Sequence, residues 1–161
     1  MRREFALLAL VPGCSLVLDF SDKAIPKDAA IDAPYTADEC MYKEPNDSLD
    51  TAQPITSTDT GPAAICADDP GDYYKFTVTG ATKVTVAVQF TNRPGGDLDL
   101  QLLDAMGIEK SASRGFGDGE TITCPGAAPA CPALPDGDYV MRVFPAVTGA
   151  VNAYTFSLQV Q

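Results

Sequence analysis

The stretch "TKVTVAVQFT", residues 82–91, decides the fold. Val84, Val86, Val88 and Phe90 alternate there with Thr85, Ala87 and Gln89, and a period of two gathers one apolar face only if the chain is extended. Most of that face is valine, whose branched Cβ is stiff and packs well on a pleated surface. The alternation recurs on both sides. "DYYKFTVT" (72–79) aligns Tyr74, Phe76 and Val78, and "DLDLQLLD" (97–104) sets Leu98, Leu100 and Leu102 against Asp97, Asp99 and Gln101. "GDYVMRVF" (137–144) offers Tyr139, Met141 and Val143, and "AYTFSLQV" (153–160) offers Tyr154, Phe156, Leu158 and Val160. Weaker strands are expected at 54–56, 63–66 and 120–124, and no helix of two turns is expected. About eight antiparallel strands in one short domain bury a core only by stacking two sheets, so the chain reads as an all-β sandwich.

Between these runs lie the turn sequences "RPGGD", "GFGDG" and "PDGDY", whose glycines supply turn conformations. No helix follows "GFGDG", so it is not a phosphate loop. Acidic residues outnumber basic ones by 22 to 11, and a net charge of −11 repels nucleic acid and anionic membrane surfaces while attracting cations. The chain has no histidine, which removes the commonest general base and transition-metal ligand. The chemistry left belongs to carboxylates, hydroxyls and hard cations.

The first thirteen residues, "MRREFALLALVPG", run from a basic start through a short apolar stretch to Pro12 and Gly13, the order of an export signal. Val11 to Cys14 resemble a lipobox, so Cys14 is the expected lipidated residue and 14–39 the expected tether, rich in alanine, aspartate and proline. The following "CSLVLDF" resembles the start of myxobacterial lipoproteins. With Cys14 set aside, Cys40, Cys66, Cys124 and Cys131 make an even set for an oxidising compartment. Of their three pairings, Cys40 with Cys66 and Cys124 with Cys131 keeps both loops local.

The order "EPNDSLDTAQPI" (44–55), "DDPGDYYKFTV" (68–78), "GDLDLQLLD" (96–104), "LPDGDYVMRV" (134–143), "YTFSLQV" (154–160) resembles the bacterial pre-peptidase C-terminal (PPC) domain, related to the collagen-binding domains of clostridial collagenases. The resemblance covers 42–160. It implies a jelly-roll sandwich over 40–161 with no catalytic set of its own. It also implies calcium held by Glu44, Asn46 and Asp47 together with Asp69 and Asp72, a donor set that suits a hard cation. One departure stands out: Tyr42 occupies the place of a further acidic ligand. Without an ion, Asn46 and Asp47 would cap a turn, and Asp69 and Asp72 would flank one. Asp97 and Asp99 read as the solvated face of their strand.

The expected function is a non-catalytic, lipid-anchored module of the outer membrane that binds extracellular protein or polysaccharide, with Tyr73, Phe116 and Phe144 as contact candidates. A purely structural envelope spacer is the alternative. A small carboxylate hydrolase built on Asp118 and Glu120 is a further one.

Overall fold

The computed structural model describes residues 35–161; the leader, Cys14 and most of the expected tether lie outside them. The described part opens with one helical turn, Ala37–Cys40 (α1), which takes up residues assigned from the sequence to the tether. Thr36 caps it: its hydroxyl accepts from Glu39 N, and the Glu39 carboxylate accepts from Thr36 N. A 3₁₀ turn, Leu49–Thr51, follows. Then come β1 (Gln53–Pro54), β2 (Ala63–Ile65), β3 (Asp72–Val78), β4 (Val84–Phe90), β5 (Leu98–Asp104) and β6 (Glu109–Ser113). The chain closes with β7 (Gly119–Cys124), β8 (Gly126–Ala127), β9 (Ala130–Cys131), β10 (Gly137–Pro145) and β11 (Asn152–Val160).

These strands form two sheets, as an all-β sandwich requires. Sheet A has the order β1-β3-β10-β5-β6, and sheet B the order β2-β11-β4-β7; β8 and β9 make a separate hairpin. The pairings are antiparallel except β1 with β3, which run parallel, because the chain enters β3 by crossing through β2 in the other sheet. Strand β6 carries no sequence signal. Its "EKSAS" puts Ser111, not an apolar residue, at the buried position, and it stays in the sheet by pairing with β5 across a register shift at Leu102/Leu103.

The core is built from the alternating faces. Tyr74, Phe76, Val86, Val88, Leu100, Leu102, Met141, Val143 and Phe156 are all buried in one cluster between the sheets. Each such side chain contributes roughly 1.5–3 kcal/mol of burial, offset by the entropy of ordering the chain. Val160 breaks the pattern. It lies at the end of β11 and stays 37% exposed. A second, smaller cluster forms outside sheet A, where Ala52 and Leu49 cover Leu103 and Val140. That cover pins the segment after Pro45 against the sheet and so fixes the seam described next.

Candidate metal seam and outer face

Two segments meet at the seam, 44–47 and 69–72. Cys40 is bonded to Cys66 just upstream of both (S–S 1.94 Å, Cα–Cα 5.9 Å). Tyr73 N donates to Asn46 O (2.9 Å) across the joint, and Asp69 N donates to Cys66 O (3.2 Å) within the turn of the second segment. Gly71 sits at φ +130°, and a Cβ there would lie 2.7 Å from Val143 O. Only glycine lets the loop come this close to β10.

At this joint, oxygens of Glu44, Asp47 and Asp69 lie within 4.8 Å of one another. Asn46 is fully buried behind them. With its amide nitrogen turned inward, it donates to both Glu44 oxygens (3.1 Å each) and to Asp72 Oδ1 (2.9 Å). With its carbonyl turned inward, the same site presents carboxylate and amide oxygens to one point. Asp72 lies deeper, 2% exposed, and accepts from the Tyr154 hydroxyl, which is itself 2.8 Å from the Tyr74 hydroxyl.

The charges are uncomfortable without a cation. Burial pushes the Asp72 carboxyl up to about 8; the Tyr154 hydrogen bond opposes this, and Asp69 and Glu44 add repulsion. Glu44 is raised by burial, with Asp47 and Asp69 adding to it against the Asn46 backbone donor. Asp69 is raised by burial and by Asp47, against the Gly71 amide (2.7 Å). A hard divalent cation would relieve all three, and the donor types fit one. Tyr42 does not point to this chemistry. It is half-buried against the core with its ring 6.2 Å from that of Phe156, while Lys43 sits over it, bonded to Pro54 O (3.0 Å) and Asp59 (3.1 Å).

Beside the seam, the outer face of sheet A carries a stack. The Arg142 guanidinium lies 5.1 Å from the Tyr73 ring centre and 4.6 Å from that of Phe144. Its Nη2 donates to Pro70 O (3.3 Å), Nη1 reaches Gln101 (3.4 Å), and Nε is buried with no partner. Tyr73 and Phe144 were readable as candidates, but Arg142 was missed. Its signal was the alternation itself: Val140, Arg142 and Phe144 share the outward face, and Arg142 is in register with Tyr73.

Asp99 corrects the solvated-face expectation. It is 7% exposed, opposite Phe144, with Arg114 at 3.9 Å. Burial pushes its carboxyl up to about 6; Asp97 and Glu120 add repulsion, and Arg114 opposes. Asp97 is half-buried and one of its oxygens has no partner. Asp118 and Glu120 have separate structural tasks. Asp118 Oδ1 accepts from Asn92 N (2.9 Å), whereas buried Glu120 accepts from the Ser113 hydroxyl and Gly115 N (2.7 Å). Phe116 stands 90% exposed on the loop from β6 to β7. At the far edge of sheet B, Cys124 is bonded to Cys131 (S–S 1.95 Å), closing the β8–β9 hairpin.

Among solved structures, the sandwich matches the crystal structure of the pre-peptidase C-terminal domain of collagenase from Bacillus anthracis. The TM-score is 0.53 at 18% identity, over 67% of this chain and 94% of that one. The chain is similar in fold to a pre-peptidase C-terminal domain. That domain is spanned almost entirely by the match. No protein-family model matches the chain, and no curated protein does.

Proposed function

We propose that the chain is a non-catalytic, extracytoplasmic binding module. Export and lipidation at Cys14 would hold it to the outer membrane, with the segment that follows Cys14 as a tether. The outer face of sheet A would take an extracellular protein or polysaccharide. The observation that carries this reading is the Tyr73–Arg142–Phe144 stack: a planar guanidinium between two half-buried rings, with a buried donor left unpaired. Such aromatic and arginine groupings concentrate binding energy.

Calcium would staple the seam through Glu44, Asn46, Asp47 and Asp69, with Asp72 behind them. The ion would neutralise crowded carboxylates, and Asn46 would turn its carbonyl toward it. At roughly 0.1–1 mM affinity and about 1 mM free calcium, the gain is only about 0.4–1.4 kcal/mol. The Cys40–Cys66 bond holds the same segments, so the ion is an adjunct to the bridge. Pull-down on immobilised collagen, denatured collagen and insoluble polysaccharides tests the binding reading. Retention by one of these matrices that Arg142→Ala abolishes supports it, and no retention above background on any of them defeats it. Intact mass of membrane-extracted protein tests Cys14: an added diacylglycerol mass on a chain beginning at Cys14 is expected, and an unmodified thiol defeats the anchor.

A further inference from the structure

Charge is distributed very unevenly between the two sheets. The strands of sheet A carry Asp72, Lys75, Asp99, Asp104, Glu109, Lys110, Asp138 and Arg142. Those of sheet B carry one charged residue, Glu120, and it faces inward, 4% exposed. The strands of sheet B therefore put no charged side chain on its outer face, in a chain of net charge −11, and Glu39 of α1 is the carboxylate beside it.

That face is also chemically uniform. Its register sets Ser157, Ala87 and Thr121 in one row and Gln159, Thr85 and Thr123 in the next. All six are exposed or half-exposed. Hydroxyls and primary amides both donate and accept, so the surface offers hydrogen bonds of either sense without a charge. At the end near α1 it dips into a shallow depression of about 360 Å³ where Gln89 and Thr155 meet Thr91, Ala153, Pro62 and Glu39.

We infer that the outer face of sheet B is a second binding surface, for a neutral polysaccharide. Charge complementarity selects this occupant. A polyanion is repelled by the molecule as a whole, and a polycation is drawn to the carboxylates elsewhere. A second copy brings the same net charge of −11. Glycan hydroxyls, amphoteric like those of threonine and serine, are matched by what the face displays, with the depression receiving one sugar ring. No aromatic ring stands on the strands of this outer face, so each contact is weak and retention depends on an insoluble polymer offering many sites. The inference rests on the chain being a binding module but not on what the outer face of sheet A takes.

The test is retention of the full chain on insoluble β-1,3-glucan, cellulose and amylose, with Thr155→Glu, Arg142→Ala and the two combined in parallel. Retention by at least one neutral glucan, cut tenfold or more by Thr155→Glu in both the wild-type and the Arg142→Ala background, is the expected result. Gln89→Ala, a truncation on the exposed side of β4, should weaken retention several-fold and covers the case where Thr155→Glu misfolds. Retention lost with Arg142→Ala and kept with Thr155→Glu overturns the inference while leaving the binding module standing. No retention on any of the three overturns the inference alone, since the polypeptide matrices test the other face.

Discussion

Replacing both Cys40 and Cys66 by serine separates the bridge from the ion that is proposed to share its task. The bond closes a loop with a sequence separation of 26. Chain entropy then assigns it about 3.5 kcal/mol, which for a domain of this size is a fall in melting temperature of roughly 10–15 °C. A second effect follows from position. Cys40 lies four residues before Glu44 and Cys66 three before Asp69, so without the bridge both halves of the donor set are free to drift. If calcium affinity falls tenfold in consequence, the ion's contribution at about 1 mM drops below about 0.4 kcal/mol. Melts of wild type and variant, each in calcium and in chelator, measure all four corners of this cycle. A calcium increment equal in the two proteins would refute the claim that bridge and ion act on one seam. A variant that melts within about 2 °C of wild type would refute the entropic estimate.

Further outcomes follow from single positions. Asp99 is held protonated by the fold up to about pH 6, whereas the unfolded chain titrates near 3.8. Its contribution is therefore fully present below about pH 4 and lost as pH rises through 6, and urea midpoints of Asp99→Asn should lack that slope. Leu100→Ala empties a fully buried site between the sheets and should cost about 2–5 kcal/mol in urea unfolding. Gly71→Ala drives a Cβ into Val143 O at a positive φ and should destabilise by more than about 1 kcal/mol, read as a lower melting temperature. Tyr42→Glu should lower the melting temperature without tightening calcium binding in calorimetry, because the side chain at 42 packs beside Phe156.

The sandwich was legible because period-two patterning states which residues face inward, and Tyr74, Val86, Leu100 and Phe156 do. What escaped depends on contacts between distant segments. Ser111 gives β6 no apolar signal, and the parallel partner of β1 follows from a crossover that no local pattern encodes. Asp99 looks solvated by alternation alone, since only its register with Phe144 and the approach of Arg114 bury it. Of the five donors expected at the seam, the meeting of Glu44, Asp47 and Asp69 was legible. The inward pull of Asp72 toward Tyr154 and the fully buried amide of Asn46 were not, for both belong to packing across the two sheets.

The outer face of sheet A as ligand surface is tested most directly by depletion isotherms on whichever of the two collagen matrices retains the chain, comparing wild type with Arg142→Lys and Arg142→Ala. Lysine keeps the charge but loses the planar guanidinium that lies between Tyr73 and Phe144. A loss of affinity of tenfold or more in both variants, with melting temperatures within a few degrees of wild type, is the predicted result. Full retention by both variants would contradict it.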